Sequence, residues 1–559
     1  MATTAGRVTS GSGIGSAAGP SGPAAGSVGS AAGAVGSVGS AAGSVGAVGP
    51  VGAVGLVGSA AGSVGSAAGP VGSTVGPVGS AVESGVGGLV ADLGAALAPE
   101  RVRAEPTELA LYRRDASMLS GEAAVICFPT TTEEVAAAVR VSRAHGRPFV
   151  PRGSGTGLAG GAVPTGPRPP VVIVTTKMNR ILSIDPDARV AWVQPGVLNL
   201  DLSHAVARYG LHFAPDPSSQ QSCTIGGNVA NNSGGPHCLL HGVTTAHVLA
   251  MEVVLPDGSI VELGGLDPDP AGYDLRGAFV GSEGTMGIAT RIAVKLTPLP
   301  PAVTTLLADF TSIEAAAQTV SGVIAAGIVP AALEMMDAVI TGAVEAYVHA
   351  GFPTDAAAVL LVEVDGLAAG VAAATDAICA IARAQGARTV RVATDPAERA
   401  LLWKGRKSAF GAIARIKPNY YLHDTVVPRS QLVAVLTKVY EIAERHRLLM
   451  GNVFHAGDGN LHPLILFDKR EPGVMDRVLA AGKEIIEVCV AAGGMLTGEH
   501  GIGLEKRDFM GLVFSADDLA AQGWLRSAFD PDEACNPWKV LPAGARCGDL
   551  QDLPPGAWI

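Results

Sequence analysis

The chain has 559 residues, room for two domains and an appendage, and a formal net charge of −11 from 39 basic and 50 acidic residues. That balance, with no local Lys/Arg cluster to offset it, excludes a nucleic-acid backbone as partner. Apolar content comes largely from Ala, Val and Gly, and the most apolar window, 356–374, contains Glu363 and Asp365, so no transmembrane segment is expected.

Residues 1–88 hold 26 of the 74 glycines and repeat "GSVGSAAG" at 26–33, 36–43 and 62–69. The glycine spacing slips between three and four, which a collagen helix does not tolerate, and only Arg7 and Glu83 carry charge. Such a segment has nothing to offset the entropy of ordering and is expected to be a disordered tail. The start of the chain lacks the pattern of a secretion signal. Seven cysteines, Cys127, Cys223, Cys238, Cys379, Cys489, Cys535 and Cys547, never form a C-x-x-C pair. They fit a reducing, cytoplasmic location and leave no ligand pattern for an iron–sulfur cluster of the chain's own.

Globular texture begins at 89. "AAVICFP" at 123–129 predicts a strand, 131–146 a helix with a Thr cap and a Gly stop, and "RPFVPRG" the next strand. The stretch 250–263 predicts two strands joined by a Pro-Asp-Gly turn. Beyond Pro298, Ala-rich helices at 314–326, 369–385, 431–447 and 475–492 alternate with strands such as 358–364, and 529–542 is a closing turn-rich segment. The class is α+β, with a second domain after 298.

Three glycine-rich stretches interrupt these elements. "PRGSGTGLAGGA" at 151–162 contains Gly155, Gly157 and Gly160 in a formal G-x-G-x-x-G, but the prolines at 164, 167, 169 and 170 forbid the helix that a dinucleotide fingerprint must open. Successive free amides can still make an anion-binding nest. With "PDPSSQQSCTIGGNVANNSGGPHCLLHG" at 215–242 and "GSEGTMGI" at 281–288, the pattern predicts a long ligand laid across a sheet and touched mainly by backbone. Further on, "HAGDGNLH" at 455–462 reads either as a hairpin turn or as half of a site.

These motifs, in this order and followed by "GEHGIG" at 498–503, resemble the FAD-linked oxidases of the vanillyl-alcohol-oxidase (PCMH-type) fold. Within them the chain is most similar to the branch holding the flavin subunit of glycolate oxidase, cytochrome-type D-lactate dehydrogenase and D-2-hydroxyglutarate dehydrogenase. The resemblance covers about residues 89–547. It implies a two-part PCMH-type FAD-binding domain at 89–298 and an α+β substrate (cap) domain at 299–547 that returns to it at its C-terminal end. The disordered tail at 1–88 and a C-terminal tail at 548–559 lie outside. The first loop would cradle the FAD pyrophosphate through Arg152, Gly153, Ser154, Gly155, Thr156 and Gly157. The second would line the flavin and ribityl chain through Pro215, Asp216, Ser218, Gly226, Gly227, Asn228 and Ser233, and Glu283, Gly284, Gly287 and Ile288 would complete the pocket. Asn460 would bond near the flavin or the ion. The pattern around His237 and Cys238 resembles that of the branch in which FAD is non-covalent.

The hairpin then gains a partner. His455, His462 and Glu499 suit a divalent ion (Zn, Mn or Fe) with open positions for substrate, and the resemblance implies that assignment, with His500 as the base beside the flavin. The expected chemistry is oxidation of a D-2-hydroxy acid to the keto acid: the ion acidifies the hydroxyl, a neutral His takes the proton, and a hydride leaves C2 for the flavin. Arg406 is the candidate for the substrate's carboxylate. The neighbourhood of Asp424 lacks the lysine that the 2-hydroxyglutarate members carry, which favours glycolate or D-lactate, with Lys407 and Lys417 as substitutes should the acid have two carboxylates. A metal-free sugar-alcohol or aldonolactone oxidase is the alternative of the same fold. Electrons would pass to a separate iron–sulfur subunit, a quinone or a cytochrome, placing the protein in the cytoplasm or at the membrane periphery through its acceptor.

Overall fold

The computed structural model of the chain describes residues 80–267 and 271–542. Most of the expected tail, residues 1–79, and the C-terminal tail lie outside the described residues. Ser80–Leu97 is a helix. Leu89, Leu93 and Leu97 recur at the four-residue spacing of one helix face and are fully buried against Val135, Ala138 and Val139 of the helix Thr132–Ala144. That second helix starts where the sequence places it, with the Thr131 side chain accepting from Glu134 N at 3.3 Å.

Two sheets build the N-terminal part. In the first, Phe149–Arg152 and Val125–Cys127 flank Val171–Val174 in parallel, with Val102–Arg103 on the edge. Such all-apolar strands fit a sheet covered on both faces. The second is antiparallel, in the order Ile181–Asp185, Val190–Val193, Ile288–Lys295, Val248–Val254, Ile260–Gly264. The last two are the strands expected around the Pro-Asp-Gly turn.

A third, nine-stranded sheet carries the C-terminal part; its path runs Thr389–Val392, Ala302–Phe310, Ala358–Gly366, Ala332–Asp337, Leu449–His455, Asn460–Leu461, Thr425–Val426. The expected Ala-rich helices, now Ile313–Ala325, Ala368–Ala384, Leu432–Arg445 and Val474–Ala491, share one core on one face. Ala338–Val348 and Pro396–Lys407 cover the other. No helix among the described residues is long and apolar enough to cross a membrane. The chain then returns to its first sheet: Phe149 N donates to Ala534 O at 2.9 Å and Asn536 N to Phe149 O at 2.7 Å. Lys539 Nζ, fully buried, donates to Val163 O and Thr165 Oγ1, both at 2.8 Å.

Candidate active site

The three glycine-rich stretches converge on one cavity of about 470 Å³. All of Arg152–Gly157 lie on its wall, as do Ser218, Gly226, Gly227, Asn228, Ser233, Glu283, Gly284, Gly287 and Ile288. The first loop is tight because Gly155 takes φ +74° and packs on the Arg152 guanidinium, leaving no room for a Cβ. Arg152 itself turns back and donates to Ala162 O at 3.2 Å, so it shapes the loop. The second stretch is not all loop. It winds into the helices Ile225–Asn231 and Cys238–His241, the first capped by Thr224, which accepts from Gly227 N at 3.2 Å.

Three of the expected residues, Pro215, Asp216 and Asn460, are not among those lining the cavity. Pro215 and Asp216 stand off the wall: Pro215 O accepts from Asn199 Nδ2 at 2.9 Å, and the Asp216 carboxylate faces His237 and Lys407. Asn460 is buried beside Gly498, where its side chain fills the space a Cβ would take.

"HAGDGNLH" forms the expected hairpin. His455 pairs with Asn460 across a turn at 456–459, where Gly459 takes φ +74° and lies too close to Val427 O for any side chain. His455 and His462 meet on one side, ring centroids 5.2 Å apart, and His462 stacks on His500 at 4.9 Å. His462, Glu499 and His500 line the same cavity as the glycine loops, Glu499 packing against Gly234, while His455 is not among the lining residues. Nitrogen and oxygen atoms of His455, His462 and Glu499 fall within 4.8 Å of one another, and so do those of Asp424, His462 and His500.

Carboxylates orient these groups. His455 Nδ1 is held by both oxygens of Glu334, at 2.8 and 2.9 Å, which turns Nε2 toward Glu499 at 3.2 Å. A carboxylate behind a histidine in this way is the usual outer support of a ligating imidazole. His462 Nε2 is buried without a hydrogen-bond partner, 3.4 Å from both Asp424 Oδ1 and Glu499 Oε1. An orphaned nitrogen facing two carboxylates fits a divalent cation. Burial drives the Glu499 carboxyl up, but His455, His462 and His500 outweigh it and hold it down at about 2. Burial pushes His500 down to about 4, leaving a neutral imidazole.

Sequence reasoning missed the parts that hold the loop 497–503. Asp424, fully buried, accepts from the backbone N–H of Gly498 at 3.1 Å and of His500 at 2.9 Å, and from Thr497 Oγ1. Lys506 Nζ locks it by donating to Asp424 O at 2.7 Å. Asn231, on the flavin-side wall, donates from Nδ2 to His500 O at 2.9 Å. Asp424 and Asn231 lie far from the loop in sequence, and no local pattern marks them. Arg406, expected to clamp the substrate, does not line the cavity. Its Nη2 lies 2.6 Å from Glu334 Oε2 and both side chains are 1% exposed, so its charge is already met. Its neighbour Lys407 is on the wall instead.

Comparison with known proteins agrees with this architecture. Residues 299–540 match the family described as FAD linked oxidases, C-terminal domain, and residues 123–264 match the FAD binding domain. The glycolate oxidase subunit GlcD of Escherichia coli (strain K12) is 46% identical over 426 residues, covering 76% of this chain and 85% of the relative. That of Bacillus subtilis (strain 168) is 43% identical, covering 75% and 89%. The D-lactate dehydrogenase of Anaerostipes hadrus is 33% identical, covering 79% and 95%. Among solved structures, p-cresol methylhydroxylase superposes with a TM-score of 0.69 over 82% of this chain and 97% of its own, at 17% identity, so the expected α+β PCMH-type fold is the one present. The chain belongs to the FAD-linked oxidase family and is an oxidoreductase with FAD as its cofactor.

Proposed function

We propose that this protein oxidises a small D-2-hydroxy acid, glycolate or D-lactate, to the keto acid. The observation that carries the reading is one cavity that His462, Glu499 and His500 line together with three glycine-rich loops. The names of the relatives, glycolate oxidase subunit and D-lactate dehydrogenase, support the substrate class. Residues 89–298 form the flavin half and 299–547 the substrate half.

FAD, held non-covalently along Arg152–Gly157, Ser218–Ser233 and Glu283–Ile288, supplies the hydride acceptor. A divalent ion held by His455, His462 and Glu499 supplies positive charge beside the substrate's hydroxyl. The chain's own residues do the rest. His500 Nε2, neutral and next to Glu499 in the same wall, accepts the hydroxyl proton. Glu334 fixes the tautomer and aim of His455. Asp424 and Lys506 hold the backbone of 498–500 in place, so the base is positioned before substrate arrives. Arg406 acts through Glu334. Electrons leave to a separate acceptor, an iron–sulfur subunit, quinone or cytochrome, in the cytoplasm; the word subunit in the relatives' names points to an assembly.

The test is stopped-flow reduction of the bound flavin by a panel of glycolate, D- and L-lactate and D-2-hydroxyglutarate, with metal per flavin measured on the same preparation. Reduction by glycolate or D-lactate is expected. Flavin that stays oxidised with every acid sinks the reading.

A further inference from the structure

A network of charges between the stretch 215–242 and the C-terminal sheet, with Asp216 and Glu363 buried in it, has no part in the chemistry above. Asp216 accepts from His237 N at 3.2 Å and faces its Nδ1 at 2.8 Å. The other ring nitrogen, Nε2, faces Glu363 Oε1 at 3.3 Å. Glu363 in turn accepts from Arg399 Nε at 2.9 Å and Nη2 at 2.8 Å, from Trp403 Nε1 at 2.5 Å and from Thr305 Oγ1 at 2.6 Å. At the other end Lys407 Nζ lies 3.4 Å from Asp216 Oδ2 and 5.8 Å from the centre of the Trp403 ring.

His237 has a carboxylate on each ring nitrogen; burial opposes its charge, but Asp216 and Glu363 hold its pKa up at about 10. Two carboxylates, Asp216 and Glu363, therefore face three cations, His237, Arg399 and Lys407. Asp365 acts on Arg399 as well, and at the cavity end the single carboxylate of Asp216 is shared between His237 and Lys407. Of these cations Lys407 alone lines the cavity, which His462, Glu499 and His500 also line. Phe410 and Tyr420, ring centroids 6.3 Å apart, line the same cavity and give it an apolar surface.

We propose that Lys407 is the residue that takes the substrate's carboxylate, and that Asp216 and His237 are positioning residues for it. Asp216 fixes the ammonium at the wall. His237 neutralises Asp216, so that the lysine's charge stays available to a ligand and is not spent on a closed pair. The oxidation of a hydroxy acid is the reading on which this rests, but binding alone tests it.

The probe is 2-hydroxyisobutyrate, which has the carboxylate and hydroxyl but no hydrogen on C2 and so is not oxidised. Its Kd is read from the perturbed flavin spectrum of holoenzyme. Lys407→Met is expected to weaken it about 10- to 100-fold, the worth of a hydrogen bond to a charged group, with flavin content unchanged. The corresponding amide should bind the wild type weakly and Lys407→Met equally weakly, a ratio that mere loosening of the fold does not move. His237→Gln should weaken the acid and not the amide with Lys407 still present. Equal affinity of wild type and Lys407→Met for the acid, or no binding by the wild type, overturns the assignment. So does a loss confined to Arg406→Met, whose Nε and Nη1 are buried without partners and would then be the carboxylate's site. A wild type that binds the acid through Lys407 yet oxidises none of the panel sinks the hydroxy-acid reading and leaves Lys407 as a carboxylate site.

Discussion

Glu283 Oε2 accepts the backbone N–H of Gly503 at 2.7 Å while its Oε1 accepts that of Ile502 at 2.6 Å, so a carboxylate on the flavin wall holds the loop that presents His500. The sequence placed Glu283 among the cofactor contacts; its side chain faces the loop. Burial pushes its pKa from 4.5 up to about 7. A carboxyl whose folded pKa is raised binds more protons in the native state, so its contribution to stability falls as pH rises from about 4.5 to 7. Glu283→Gln cannot ionise. It is expected to melt with less dependence on pH across that window, and to reduce its flavin more slowly because one N–H of the loop loses its acceptor. Melting curves at pH 5 and 7.5 check the first part; an unchanged difference between the two pH values would falsify it.

The two ligand sets share His462, which separates them experimentally. Replacing His462 should remove metal under either set. Replacing His455 by Ala, or Glu499 by Gln, should remove it only if the ion sits among His455, His462 and Glu499, which is the outcome expected. Elemental analysis per mole of flavin decides. Metal retained in both variants moves the ion to Asp424, His462 and His500.

His500→Asn should keep flavin and metal and slow flavin reduction by roughly two to four powers of ten, the value of a positioned base. Stopped-flow traces at saturating substrate give the number. A change below threefold leaves the base unassigned to His500.

Acid precipitation is expected to release the FAD. His237 is tied to Asp216 and Glu363 and lies off the cavity wall. Cys223 is on the wall, but burial pushes its thiol pKa up, away from the reactive thiolate. A yellow pellet contradicts this.

Deleting residues 1–79 should leave flavin content and turnover within experimental scatter, since the segment offers no core and almost no charge. Leu93→Ala, in the helix that follows, should cost about 2–5 kcal/mol as a buried leucine does, read by chemical denaturation. Loss of flavin on deleting 1–79 alone would show a role for the repeats.

Much of the site was legible because its chemistry sits in short, local patterns. "HAGDGNLH" puts His455 and His462 on one side of a hairpin by turn geometry alone, and the first glycine loop declares itself by the prolines that forbid a helix. The supports were illegible for a physical reason. Glu334 reaches His455 across neighbouring strands, Asp424 catches the loop 498–500 from between two strands more than seventy residues earlier, and Glu283 reaches Gly503 from the other half of the chain. None of these pairs leaves a mark in composition or periodicity. Arg406 and Lys407 show the same limit: adjacent in sequence, they point to opposite fates because one helix turns the first into the core and the second to the cavity. The helix at Ser80 was hidden by composition, since Gly and Ala continue through its first turns.

The return of the last segment to Phe149 sets the order of events during synthesis. Asn536 donates from Nδ2 to both Gly161 O and Glu283 O, and Cys535 Sγ to Gly284 O, so two of the glycine loops are completed by residues made at the very end. At ribosomal speeds of about 5–20 residues per second, roughly 20 to 80 s separate Phe149 from its partner strand. The nascent N-terminal part must wait through that interval with an unfinished pocket and a bare sheet edge, so the pocket is completed only once residue 536 has been made.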